Sequence, residues 1–198
     1  MPGRIVAVNN SWEIRRDADV LCFCDKAWFA KRQPKSVDLA DYPNNGAAIK
    51  EHFLGRVVSL SDIEDKRVFN LRNAGHNIPL STQQNALAHG SNSGYQAINL
   101  AFLFGAKRIV LLGFDMKTDG AQTHWHAGHR HPGNETVEQY QARMQHAFEK
   151  RFMPRFDLMA APLAAAGVKV LNASLGSALK TWPIVPLSDV LAAKGDYF

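Results

Sequence analysis

Long apolar runs are missing from this chain of 198 residues. No stretch of about 18 apolar residues occurs, so we expect no transmembrane helix. Internal repeats and low-complexity segments are missing too. The hydrophobic share is 46% and the charged share is 21%, which is ordinary globular usage and excludes a coiled coil, a collagen-like fibre and a disordered tail. The length suits a single domain over residues 1–198.

Cysteine is scarce, since Cys22 and Cys24 are the only two in the chain. Both lie in one strand-like run, and we expect no disulfide between them. Free thiols fit a reducing, cytoplasmic setting.

The chain also lacks the short motifs that identify common enzyme classes. It has no Walker-type phosphate loop, no Gly-x-Ser-x-Gly nucleophile elbow and no Gly-x-Gly-x-x-Gly dinucleotide fingerprint. Basic runs of the kind that mark a DNA-binding arm are absent. The net charge is nevertheless +5, and basic proteins often bind anions. These features favour a nucleotide-sized anion over a nucleic acid polymer as the ligand.

Apolar runs alternate with helical patterns along the chain. The apolar runs predict strands at residues 4–8, 19–24, 56–60, 108–113 and 168–172. The helical patterns predict helices at residues 97–105, 135–156, 160–166 and 187–193. Over residues 61–92 we expect loops and one short helix. This alternation predicts an α/β fold, a Rossmann-like, doubly wound, mostly parallel sheet flanked by helices.

Polar residues follow several of the predicted strands. In doubly wound sheets, ligands bind beyond the carboxyl ends of the strands. Asn and Asp also favour turns, so each position has a structural alternative. The candidates for nucleotide contacts at these ends are Asn9, Asn10, Asp25, Asn172 and Ser174.

Two further motifs stand next to predicted elements. Asn92, Ser93 and Gly94 open a helix, where small residues and free N–H groups suit a phosphate; the alternative is an ordinary N-cap. Asp115 follows the apolar strand at residues 108–113. A carboxylate there suits a ribose hydroxyl, a metal ion or a catalytic histidine, and the alternative is an aspartate that caps a loop.

Four histidines crowd into residues 124–131. One hypothesis makes one of them a general base, because the pKa of histidine lies near neutrality. A second makes His124 and His126 ligands of a divalent metal. A third is a solvated loop without a chemical role. The residues alone leave these alternatives open.

Taken in order, these motifs resemble two known families. The segment 92–95, Asn-Ser-Gly-Tyr, opens a helix, and the following strand ends in Gly-Phe-Asp at 113–115. The arrangement resembles the bacterial sialyltransferases of the Campylobacter type. It resembles equally the MptE-like 6-hydroxymethylpterin diphosphokinase family and its small phage-encoded relatives. The similarity runs in matching order through most of the chain, from Val8 through the histidine loop to Ser174.

The resemblance implies roles for single residues. Asn9 and Asp25 fall on asparagines that contact the nucleotide in the sialyltransferases. Ser93 and Gly94 fall on the Ser-Gly pair that lines the nucleotide pocket, with Asn92 beside them.

The resemblance also implies a reaction, a nucleotide-dependent group transfer. In the glycosyl version, the donor is a nucleotide sugar. His129, which follows a glycine after the Gly-x-Asp strand, is then the general base, with His126 as second choice. In the alternative version, a diphosphate passes from ATP to a hydroxymethyl group with a divalent metal held by Asp115, Asp25 or the histidines. A third alternative is a non-catalytic phage accessory or nucleotide-binding protein.

The chain departs from the family pattern in two ways. The families begin with a Gly-x-Gly-Pro-Ser-Leu loop that cradles phosphates, whereas this sequence has only Pro2 and Gly3, so we expect a domain without that loop. Asp25 replaces an asparagine, and a carboxylate near phosphates is unfavourable unless it meets a hydroxyl or a metal. A modified DNA base is one conceivable acceptor, and a homo-oligomer would complete the pocket.

Overall fold

The computed structural model describes residues 3–30, 45–118 and 135–192. It shows an α/β protein whose strands pair in parallel and whose helices flank the sheets, consistent with a Rossmann-like fold. The predicted fold class is confirmed. Among these residues, no helix is long and apolar enough to cross a membrane.

All strand pairs in the described part of the chain are parallel. One sheet has four strands in the order β1-β2-β3-β4, and two further pairs join β5 to β6 and β7 to β8. The bounds are β1 Val6–Val8, β2 Val20–Phe23, β3 Arg56–Ser59, β4 Val68–Asn70, β5 Arg72–Gly75, β6 Ala86–Ala88, β7 Arg108–Leu111 and β8 Lys169–Asn172. Every strand predicted from an apolar run forms, at slightly shorter length.

The prediction of loops and a short helix over residues 61–92 is wrong. Three strands, β4, β5 and β6, lie there instead. Strands β4 and β5 leave most of their side chains exposed, for example Phe69 and Asn73. Strands β4 and β6 have three residues each and β5 has four. Strand β6 is buried but only three residues long. None of the three is an apolar run of ordinary strand length, and backbone pairing with a neighbouring strand defines them.

Six α-helices and two other helical segments occur in the described residues. The α-helices are α1 Lys26–Ala30, α2 Asn45–His52, α3 Ser93–Leu103, α4 Val137–Ala147, α5 Met153–Ala165 and α6 Leu187–Ala192. A 3-10 helix spans Asn9–Glu13, and a π-helix spans Phe148–Phe152. The π-helix joins α4 directly to α5, so the break predicted between the helices at residues 135–156 and 160–166 does not occur. Pro154 lies at the start of α5, directly after the π-helix.

Strand β2 is buried on both faces. Leu21 and Phe23 pack into one apolar cluster with Trp28, whereas Val20 and Cys22 pack into another with residues of β6 and α3. A parallel strand covered on both sides needs a continuous apolar run, which is the pattern that made this strand predictable. A third cluster joins α3 and α5 to β7 and β8.

Both cysteines are free thiols, as expected. Burial raises the pKa of the Cys22 thiol to about 12, so this side chain behaves as a small apolar group.

Candidate functional site

Helix α3 begins where three strand ends come together. Strand β6 leads into it through residues 89–92. The Cys24 Sγ, just after β2, lies 3.2 Å from the Ser93 Oγ. On the other side, a Cβ built on Gly94 would lie 2.8 Å from Cε1 of Phe114, which follows β7. The amino end of α3 therefore stands at the carboxyl edge of the parallel strands.

Asn92 is the N-cap of α3. Its Oδ1 accepts a hydrogen bond from the Tyr95 N–H at 2.8 Å, and its Nδ2 donates to the Gly90 carbonyl at 3.2 Å. The cap interpretation of this motif holds, and the side chain is fully used. No described residue accepts a hydrogen bond from the backbone N–H of Ser93 or of Gly94. Capping thus leaves two N–H groups for an anion.

Gly94 is required by packing in this structure. The Phe114 ring occupies the space that a Cβ would need, and Phe114 packs in turn on Phe156 at 6.0 Å between ring centroids. The close approach at Gly94 is thus made by a protein side chain. Ser93 is buried, with its hydroxyl at the Cys24 thiol.

The two asparagines after β1 differ sharply. Asn10 is buried; its Oδ1 accepts from the Trp28 Nε1 at 2.6 Å and its Nδ2 donates to Glu13 Oε1 at 3.1 Å. This amide holds the 3-10 helix against α1. Asn9 is half-buried and has φ of 48°, a left-handed conformation that asparagine tolerates. Asn9 is the more accessible of the two at this strand end.

The two aspartates at strand ends are both exposed. Asp25 Oδ1 accepts from the Ala27 N–H at 2.7 Å, so this carboxylate caps the start of α1. The carboxylate of Asp115 makes no hydrogen bond or ion pair with the described residues, while its backbone carbonyl accepts from the Ala178 N–H. Asp115 is therefore available to a ligand.

Asn172 and Ser174 join the loops that follow β7 and β8. Asn172 is fully buried, donates to the Leu179 carbonyl and accepts from the Ser174 N–H at 3.0 Å. Ser174 Oγ accepts from the Phe114 N–H at 2.9 Å. The hydrogen bonds of both side chains hold these loops together. The structure therefore favours a role in the turns over a role in nucleotide contacts for Asn172 and Ser174.

The predicted base and metal ligands His124, His126 and His129 lie outside the described residues. Their roles as general base or metal ligands stay predictions. In the described part of the chain, no group of three or more His, Cys, Asp or Glu side chains is placed to hold a metal ion.

A basic cluster lies next to α3, and the sequence did not predict it. We define it as His76, His89, Arg151 and Arg155. The imidazole centroids of His76 and His89 are 3.8 Å apart, and Arg155 donates to the His76 carbonyl at 2.9 Å. Burial, followed by the charges of His76, Arg151 and Arg155, lowers the pKa of His89.

One sequence signal for this cluster exists. Arg151 and Arg155 are four residues apart in a predicted helix, a spacing that places them on one face. The two histidines come from different strands, and only the fold brings them to that face.

We compared the chain with protein-family models, with curated proteins and with solved structures, and none of them matches it.

Proposed function

We propose that this protein is a nucleotide-dependent group transferase, with glycosyl transfer from a nucleotide sugar as its reaction. The observation that supports this is the amino end of α3. Two N–H groups without a partner among the described residues stand there at the carboxyl edge of parallel strands, the usual place for a phosphate in such a fold. The proposal keeps His129 as the general base for the acceptor hydroxyl and expects a cytoplasmic protein.

Asp115 supplies the second part of the proposed site. It follows β7, and the neighbouring Phe114 ring lies against Gly94 at the start of α3. An exposed carboxylate without a partner in the described residues suits a ribose hydroxyl, which donates a charge-assisted hydrogen bond. The same carboxylate favours the second candidate, diphosphate transfer from ATP, because that reaction needs an oxygen ligand for Mg²⁺.

The experiment is thermal unfolding against cytidine and uridine nucleotides, nucleotide sugars and ATP, each with and without Mg²⁺. A shift with a nucleotide sugar or its nucleoside monophosphate supports glycosyl transfer, and slow release of nucleotide from the donor then demonstrates turnover. A shift only with ATP and Mg²⁺ supports diphosphate transfer. If no nucleotide changes the unfolding temperature, both glycosyl transfer and diphosphate transfer are contradicted.

The variant Asp115→Asn tests the contribution of the carboxylate. A charge-assisted hydrogen bond is worth about 1.5–3 kcal/mol, so we expect nucleotide affinity to fall by roughly 10- to 100-fold. The control is Glu64→Gln, which removes an exposed negative charge elsewhere on the surface. Equal effects of the two variants would mean that only net charge matters, and Asp115 would leave the proposed site.

A further inference from the structure

The basic cluster gathers basic side chains from four segments of the chain. His76 follows β5 and His89 follows β6, whereas Arg151 belongs to the π-helix and Arg155 to the first turns of α5. The π-helix matters because its wider turn adds a residue and changes the direction of the side chains that follow it. Single π-helical turns within α-helices are frequent at functional sites.

The two arginines of this cluster have no carboxylate partner in the described residues. Neither Arg151 nor Arg155 forms an ion pair there, and the only polar contact of the Arg155 side chain is the His76 carbonyl. Among the described residues, the charged groups that lower the pKa of His89 are His76, Arg151 and Arg155, and none of them is a carboxylate. Like charges held together without a counter-charge are unfavourable, and a bound anion would offset this repulsion.

The orientation of His89 is fixed by the backbone around it. Its Nδ1 accepts a hydrogen bond from the Ser91 N–H at 3.1 Å, so in the neutral ring the proton lies on Nε2. The Gln96 Nε2 donates to the His89 carbonyl at 3.0 Å. His89 is thereby presented as an N–H donor by residues that belong to the start of α3.

We propose that the basic cluster binds a phosphate group, with Arg151, Arg155 and the Nε2–H of His89 as the donors. The ligand class is a phosphate-type dianion, either free or carried by a larger molecule. The geometry brings this second anion site next to the amino end of α3, because His89 and Ser91 are joined by a hydrogen bond and Ser91 precedes the cap residue Asn92. The inference stands apart from the identity of the transferred group.

Binding of inorganic phosphate and of pyrophosphate tests the proposal. The affinity is measured by calorimetry on the full chain at constant ionic strength, with chloride as the reference anion. We expect Arg151→Met to weaken phosphate binding by at least tenfold. The control Lys150→Met removes an exposed positive charge one residue away on the same π-helix and should change the affinity by less than twofold.

Two results would overturn the proposal. One is phosphate binding that is no stronger than chloride binding; the other is an equal loss in the Arg151 and Lys150 variants, which would indicate nonspecific attraction. Arg151 is exposed, so its substitution should leave the unfolding temperature unchanged, and Arg151→Lys should restore part of the affinity by restoring the charge.

Competition separates the two sources of the phosphate. If a nucleotide displaces inorganic phosphate while the nucleoside does not, the cluster holds a phosphate of the nucleotide. If both bind together, the cluster holds the phosphate of a second molecule. If phosphate binding depends on Arg151 but no nucleotide binds, this inference is supported and the proposed function is contradicted. A nucleotide response without phosphate binding would do the reverse.

Discussion

Replacing Asn99 by leucine should loosen helix α3 from its strand. Asn99 lies in the middle of α3 and is fully buried. Its Oδ1 accepts hydrogen bonds from the N–H groups of Ser81 and Ala88, both at 2.9 Å, and its Nδ2 donates to the Ser81 carbonyl at 2.9 Å. One side chain thus ties the helix to the end of β6 and to the loop before that strand.

The size of the destabilisation follows from the hydrogen-bonding groups that the substitution leaves without a partner. Two N–H groups and one carbonyl lose their partner in a dry environment. Each unsatisfied group costs about 1–3 kcal/mol, so the loss in the free energy of unfolding is about 3 kcal/mol at the lower end. In a protein of this size, each kcal/mol lowers the unfolding temperature by roughly 2–4 °C. We therefore expect Asn99→Leu to unfold about 6–12 °C lower.

The assay is thermal unfolding followed by far-ultraviolet circular dichroism, with urea unfolding as a second measure of the free energy. The control is Gln84→Leu, which makes a similar polar-to-apolar change at an exposed position and should leave the unfolding temperature nearly unchanged. If Asn99→Leu also leaves it unchanged, the three hydrogen bonds do not hold the helix as we argue.

Two further predictions concern the approach to α3. In Gly90→Ala, the new Cβ would lie 1.9 Å from Cδ1 of Tyr95, whereas in the control Gly105→Ala the positive φ is similar but nothing lies within 4 Å. We expect Gly90→Ala to unfold at a clearly lower temperature than Gly105→Ala. Equal decreases in the unfolding temperature would show that backbone strain alone, without the clash, causes the destabilisation. The pKa of His89 lies below its usual 6.5 in the folded protein. The contribution of neutral His89 to the free energy of unfolding is therefore fully present above pH 6.5, and it declines as the pH falls towards the folded-state pKa. Phosphate should reduce this decline, and an undiminished decline in His89→Asn would rule out His89 as its source.

Most of the sheet could be predicted from the sequence because its central strands are buried on both faces. The alternating contacts of β2 with two apolar clusters require the continuous run at residues 19–24. The start of α3 was predictable for a different reason, since Asn92 makes a local cap bond to a residue three positions on. Both signals are contained within a few consecutive residues.

What could not be predicted depends on partners far apart in the chain. Strands β4 and β5 are defined by their neighbours, and their own side chains are mostly exposed. The basic cluster unites His76 with Arg155, which are 79 residues apart along the chain. No local pattern marks such a meeting, because it follows from how α5 packs beside β6 and α3.

The structure also changes which atoms are left for a ligand. Asn10, Asn92 and Asn172 are the polar side chains that stand out in the sequence, and each has both ends of its amide engaged by the protein. Amides that the protein engages at both ends keep the strand ends in fixed positions, and breaking those bonds to reach a ligand would cost about as much as the ligand returns.

The proposed ligand would therefore have to be recognised by groups that the fold leaves unpaired. In the described residues, such groups include the backbone N–H groups of Ser93 and Gly94 and the carboxylate of Asp115, and the basic cluster adds two arginines without a carboxylate partner. The N–H groups and the basic cluster suit negative charge, whereas the carboxylate suits a hydroxyl or a cation. A ligand that met all three would carry phosphate at one end and a hydroxyl group at the other, as the proposed nucleotide does.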